Sequence, residues 1–244
     1  MRVLSIGNSF SWDAHRYLHE IAAQEKVNLT TANLFIGGCS LRMHYLNMLG
    51  DKTAYELQFN GQSTGIKVGL RQVLESDEWD VITLQQASHL SAHEDTYFPY
   101  IESLAQYVRT YCPKAKLYIH QTWAYEKGSE RLQTVGGFEN PLQMLQSLQK
   151  SYKQAAEKIN ADKIIPCGQA MYNATQMGIE KMHRDTFHAS LGAGRYLLGL
   201  TWYKALLDKD IAHNAFVAFD EEVTQAEREI IVKAVNAAFG EENK

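Results

Sequence analysis

Short apolar runs punctuate the chain at residues 3–6, 29–35, 81–84, 116–120 and 163–166. Each is four to seven residues long, the length of a buried strand. Between them apolar positions recur at helical spacing: Ala14, Tyr17, Leu18, Ile21 and Ala22, then Tyr97, Ile101, Leu104 and Val108, then Leu142, Leu145, Leu148, Tyr152 and Ala155. Residues 191 to 207, with Tyr196, Leu197 and Leu200, carry the same pattern. Strands alternating with helices predict an α/β fold, a mostly parallel sheet covered on both faces. The C-terminus predicts one more helix, a structural cover for the sheet. Thr224 and Glu227 form a capping box, Ile231, Ala234, Val235 and Ala238 make its apolar face, and Gly240 ends it.

Two longer connections interrupt this alternation, and long loops over strand ends commonly form binding walls. The first spans residues 37–65, with a short helix expected near 43–49. The second spans 121–140 and contains Trp123, Tyr125, Gly128, Gly136 and Gly137. An aromatic pair there can stack on a sugar ring or line an acyl pocket; equally, Trp123 can pack the loop down. No repeat, low-complexity segment or proline-rich linker divides the chain, so residues 1–244 are read as one domain.

Composition narrows the function classes. The 244 residues are 45% hydrophobic and 21% charged, ordinary for a globular chain. A net charge of −4, with no Lys/Arg block beyond two neighbours, gives no electrostatic reason to expect nucleic acid or an anionic membrane as partner. Cys39, Cys112 and Cys167 are odd in number and lack a C-x-x-C, against a disulfide framework or a thiolate zinc site. Each is read as a small buried residue. Met1 leads directly into the first strand and no membrane span is visible, so a cytoplasmic protein is expected; a secreted protein trimmed of its leader would read the same.

Chemistry enters at Gly7-Asn8-Ser9-Phe10. The first strand breaks at a glycine, and a serine stands where the helix begins, beside the helix N–H groups. Open α/β sheets build their sites at this edge. On this segment alone Ser9 or Ser11 serves equally well as a helix cap. Near the other end, Arg184-Asp185-Thr186-Phe187-His188 sets an aspartate three residues before a histidine. A hydroxyl nucleophile needs a base, and the base needs an acceptor to set its tautomer. Ser9, His188 and Asp185 can supply all three.

With these residues the chain resembles the SGNH (GDSL-type) hydrolase superfamily, in a branch with Gly-Asn-Ser-Phe in place of Gly-Asp-Ser. The likeness runs on through Gly37-Gly38-Cys39-Ser40-Leu41, Leu84-Gln85-Gln86-Ala87-Ser88-His89, Gln121-Thr122-Trp123-Ala124-Tyr125 and Ile165-Pro166-Cys167-Gly168. The resemblance implies a three-layer αβα sandwich, flavodoxin-like, around a mostly parallel five-stranded sheet. It implies Ser9 as nucleophile, His188 as base and then acid, and Asp185 as its orienter. Backbone N–H groups of Ser9 and Gly38 would hold the oxyanion, with one side-chain amide. Most of the superfamily takes that amide from an asparagine in a G-x-N-D block, which this sequence lacks. Its third strand ends in Gln85-Gln86, and a glutamine amide is an adequate donor. Strand alternation favours Gln85 for this role and turns Gln86 the other way. Gln86, His89, Trp123 and Tyr125 are the expected substrate contacts.

Competing readings are weaker. His15 and His19, and again His89 and His93, have the i, i+4 spacing that can chelate a metal, but neither pair has a third ligand. No metal and no organic cofactor is expected. Asp13 and His15 lie too close along the helix to serve Ser9 with good geometry, and His183 is the next candidate base. The resemblance points to a serine esterase acting on small acyl esters, O-acetyl groups foremost, on a small molecule or carbohydrate. Acyl transfer by the same residues, or a carbohydrate-binding module with a decayed site, are the alternatives; oligomeric state leaves no mark on the sequence.

Overall fold

The five apolar runs lie side by side. The computed structural model describes residues 1–240. Its strands are β1 (Arg2–Gly7), β2 (Thr30–Phe35), β3 (Tyr55–Phe59), β4 (Gln62–Val68), β5 (Val81–Leu84), β6 (Lys116–His120) and β7 (Lys163–Ile165). They form one sheet in the order β4-β3-β2-β1-β5-β6-β7. The five expected strands are mutually parallel, whereas β3 runs antiparallel to both β2 and β4. The expectation of a five-stranded sheet is therefore corrected to seven.

The helices are α1 (Ser9–His15), α2 (Leu18–Gln24), α3 (Leu41–Leu49), α4 (Leu70–Leu74), α5 (Tyr100–Tyr111), α6 (Glu130–Thr134), α7 (Pro141–Lys158), α8 (Cys167–Gln176), α9 (Ala193–Leu207) and α10 (Gln225–Ala238). Side-chain alternation along the strands divides the interior into two cores. Val3, Val81, Tyr118 and Ile165 face α1, α2, α8, α9 and α10. Leu4, Ile6, Ile82, Leu84, Leu117 and Ile119 face α3, α4, α5 and α7. The result is the three-layer αβα sandwich. α9 is buried around nearly its whole circumference, as suits an apolar helix held between the sheet, α1, α2 and α10. Thr224 and Glu227 cap α10 reciprocally, as the sequence predicts. The three cysteines are free and buried. Among the described residues, no helix is long and apolar enough to cross a membrane.

The two added strands occupy the connection expected to be a loop. β4 is exposed along all but its last residue, so its sequence carries no apolar alternation to betray it. The turn was marked, however: Asn60 and Gly61 both take positive φ, the geometry of a tight hairpin. That turn docks on the end of α1. A Cβ on Gly61 would stand 2.7 Å from the Arg16 backbone, so only glycine fits.

Candidate active site

At the end of β1, Gly7 is needed for closeness. A Cβ there would lie 2.3 Å from Ser11 Oγ and 3.2 Å from Gln85 Oε1. The helix cap is neither Ser9 nor Ser11 but Asn8, whose Oδ1 accepts the Phe10 N–H at 3.0 Å. Ser9 is thus the first residue of α1. Ser11 is fully buried, its Oγ 2.8 Å from both Asn8 O and Asn33 Oδ1.

His188 comes to Ser9 from 179 residues away. Its Nε2 lies 2.8 Å from Ser9 Oγ, and its Nδ1 lies 2.7 Å from Asp185 Oδ2. The His188 backbone N–H also donates to Asp185 Oδ1, at 2.9 Å. A carboxylate can only accept, which puts the ring proton on Nδ1 and leaves Nε2 to accept from the serine hydroxyl. Partial burial works to raise the Asp185 pKa; the hydrogen bonds from His188 outweigh it, and the net shift is downward. Asp185 is therefore held as the carboxylate this arrangement requires.

The turn bearing His188 is fixed from two sides. Trp123 Nε1 donates to Phe187 O at 2.8 Å, and Glu126 N to Thr186 O at 2.8 Å. His183 donates from Nε2 to Ala124 O at 3.0 Å; burial first, opposed by that carbonyl and Asp185, pushes its pKa down to about 4. His183 is thus a neutral clasp on the loop that follows β6, bonded to a backbone carbonyl. On the other side, Arg184 donates to both carboxylate oxygens of Asp13 at 2.9 Å, and Arg195 to Asp13 Oδ1 at 2.9 Å. Arg195 continues to Asp220, which also holds Arg16. Asp13 sits on α1 with Ser9, so this buried ionic cluster ties the helix of the serine to the loop of the histidine. Thr186 adopts φ +74, a strained angle for a β-branched residue, within the same turn.

Gly38, with φ +62, occupies the turn closed by the Cys39 N–H to Ile36 O bond of 3.1 Å. Nothing lies within 4 Å of a Cβ built on it, so this face of the turn is open. Asn8 Nδ2 donates to Cys39 O at 3.0 Å and joins this turn to the serine. Among the described residues, the backbone N–H groups of Ser9 and Gly38 donate to no acceptor. Gln85 is buried beside them. Its Nε2 donates to Asn8 Oδ1 at 2.7 Å, and its Oε1 accepts from His120 Nδ1 at 2.7 Å. One Nε2 hydrogen of Gln85 remains.

Three expected substrate contacts are corrected. Gln86 turns to the opposite face, where its Oε1 accepts from Leu41 N and Ala87 N while its Nε2 donates to Thr96. Its polar groups are spent on the start of α3, on the next residue of its own loop and on Thr96. Trp123 and Tyr125 are both 0% exposed. Trp123 stacks on Phe10 at 4.1 Å between centroids, and Tyr125 donates to Ser88 Oγ at 3.1 Å. Loop aromatics with enough apolar surface are drawn into the core, and there they cannot stack on a sugar. His89 is exposed, and burial together with the nearby Arg131 charge lowers its pKa.

Sequence reasoning missed Asn8, His120, Phe187 and Arg131. Phe187 lies against the His188 ring at 3.8 Å, and the Arg131 guanidinium lies 3.7 Å from the Phe187 centroid. Asn8 and Phe187 were visible inside their motifs; His120 and Arg131 carried no local signal. His15, one of the i, i+4 histidines, has Nε2 2.9 Å from Ser5 Oγ, and His19 has Nδ1 2.7 Å from Leu29 O. Their nearest partners are thus different groups. Among the described residues no cluster of three potential metal ligands occurs. A groove of about 730 Å³ borders the histidine turn, lined by Tyr125, Met171, Tyr172, Ile179 and His183; Ser9 is not among its lining residues.

Residues 2–239 match a family described as a domain of unknown function, DUF4886. A DUF4886 family protein from Bacteroides uniformis is 32% identical, covering 100% of this chain and 97% of its own, with a TM-score of 0.91. A member of the lipolytic protein G-D-S-L family from Veillonella parvula is 16% identical over 84% of this chain and 98% of its own, TM-score 0.53. Axe2, an acetylxylan esterase from Geobacillus stearothermophilus, is 14% identical over 84% and 93%, TM-score 0.52. Likeness at these last two identities is a likeness of fold, the fold of the SGNH hydrolases. Among curated proteins none matches the sequence.

Proposed function

Because the chain belongs to the DUF4886 family and has the SGNH-hydrolase fold, we propose that it is a serine esterase releasing small acyl groups, O-acetyl foremost, from carbohydrates. The observation that carries this reading is the unbroken run Ser9 Oγ–His188–Asp185, at 2.8 and 2.7 Å. Ser9 Oγ attacks the ester carbonyl carbon while its proton passes to His188 Nε2. The carbonyl electron pair becomes an oxyanion, held by the N–H groups of Ser9 and Gly38 and by the remaining Nε2 hydrogen of Gln85. Such preorganised donors contribute about 2.7–4 kcal/mol each. The intermediate collapses, the C–O bond to the alcohol breaks, and His188 returns the proton to the leaving oxygen. Water then gives a proton to His188 and its oxygen to the acyl carbon, and Ser9 departs with that proton. The products are the acid and the alcohol.

Hydrolysis is favoured over transfer because the Asp185 side chain is 45% exposed. Water reaches the triad, whereas a transferase must exclude it. A decayed binding module has no need of a serine, a histidine and an aspartate in hydrogen-bonding line. The test is turnover of p-nitrophenyl acetate, together with labelling by a fluorophosphonate. Wild type should show both; Ser9→Ala and His188→Ala should lose turnover while remaining folded. Residual hydrolysis equal in all three, with no label on Ser9, would overturn the reading.

A further inference from the structure

Beside the candidate triad stands a cation without an anion. Arg131 is half-buried on α6, and its guanidinium carbon lies 3.7 Å from the Phe187 centroid and 5.2 Å from that of Tyr125. Phe187 in turn lies against His188, the ring that meets Ser9 Oγ. Arg131 Nε is buried with no hydrogen-bond partner, and among the described residues the guanidinium enters no ion pair and no hydrogen bond. Arg16, Arg184 and Arg195, by contrast, are matched to Asp13 or Asp220, while Arg109 donates to two backbone carbonyls and Arg228 to the Gln225 side chain. Burial and then the Arg131 charge push the pKa of His89 down, and an imidazole supplies no negative charge in either form.

A buried Nε–H left without an acceptor is costly unless something answers it. Two aromatic faces offset part of that cost and also fix the plane of the fork. A planar fork presents paired N–H donors to a carboxylate in bidentate fashion, which a flexible ammonium does not. Its place, one ring away from His188, puts this charge within reach of a molecule whose ester lies at Ser9. We infer that Arg131 is a specificity determinant and that the ester accepted here carries a carboxylate, on either its acyl or its alcohol portion. The inference rests on the esterase reading above and names the substrate class for the same site.

Four esters test it in two matched pairs. Mono-4-nitrophenyl succinate against 4-nitrophenyl valerate places the charge in the acyl part; 4-acetoxybenzoate against 4-acetoxybenzamide places it in the alcohol part. In wild type one pair should favour its anionic member by about 10- to 100-fold in kcat/KM, the range of a charge-assisted hydrogen bond. That pair identifies which portion carries the acid. Arg131→Gln should abolish the preference, and Arg131→Lys should retain part of it, keeping the charge without the stacked fork. The readout is the ratio within each pair, so a general loss of activity does not imitate the result. Should Arg131→Gln fail to fold, the wild-type ratios and Arg131→Lys decide. Equal rates within both pairs, or a preference that survives Arg131→Gln, would overturn the inference while leaving the esterase standing. No turnover of any of the four, with no fluorophosphonate label on Ser9, would overturn both.

Discussion

A single carboxylate decides which nitrogen of His188 is free. Asp185 takes N–H donors from the His188 backbone and from Nδ1, so Nε2 is left to accept from Ser9. Asp185→Asn would keep the shape but turn an amide N–H toward Nδ1, favouring the tautomer that cannot take the serine proton. The expected loss is about 10³–10⁴-fold in kcat, with the protein still folded, measured by steady-state kinetics on p-nitrophenyl acetate. At the same scale, Gly7 is a packing requirement. Gly7→Ala would press its Cβ on Ser11 Oγ at 2.3 Å and Ser11 Cβ at 2.9 Å, costing about 1–3 kcal/mol by urea denaturation. Adding Ser11→Ala removes the nearer contact and should recover part of that loss. Both motif residues were legible in the sequence as chemistry. The reason for Gly7 was not, because a close approach to Ser11 and Gln85 is a tertiary fact.

Between elements, the proposed catalytic geometry depends on α1 and the histidine turn holding one relative position. Asp13 is 1% exposed at the side chain and answers both Arg184 and Arg195. Burial pushes its pKa up and the two guanidinium groups work against that rise. Asp13→Ala would leave Arg184 without its anion and Arg195 with Asp220 alone, and the expected cost is about 3–5 kcal/mol in unfolding free energy, read by urea titration. A change below 1 kcal/mol would show that the cluster is not the clamp described. The hairpin β3–β4 makes a parallel point about legibility. Its turn, Asn60-Gly61, was a local signal, but exposed β4 lacks the alternation that marks a strand with one buried face.

Across the whole molecule, four histidines are enclosed and held neutral. Burial lowers the pKa of His15, His44 and His120 to about 3 each, with His15 adding to the effect on His120, and that of His183 to about 4. In the unfolded chain these rings titrate near 6.5. Below that pH the unfolded chain binds protons that the native state refuses, so stability falls as pH falls, by about 1.4 kcal/mol per ring per pH unit until the folded pKa is reached. Above about pH 7 these rings contribute no pH dependence. Urea midpoints should therefore hold steady from pH 8 to 7 and drop steeply from 6.5 to 5; a flat profile down to pH 5 would contradict the burial of these rings.

Sequence alone determined the alternation of five parallel strands with helices, the capped C-terminal helix, and the two motifs that bear Ser9, Asp185 and His188. All of these are written in local spacing, where apolar periodicity, a glycine after a strand and a D-x-x-H turn have meaning within a few residues. Tertiary structure alone decided the rest. Trp123 and Tyr125 were withdrawn into the core and Gln86 was spent on α3, because burial depends on what the far parts of the chain bring against a side chain. By the same logic Asn8, His120 and Gln85 became one hydrogen-bonded brace, and Arg131 was set on Phe187 beside the candidate triad. Contacts between residues tens to nearly two hundred positions apart have no signature in the sequence near either partner.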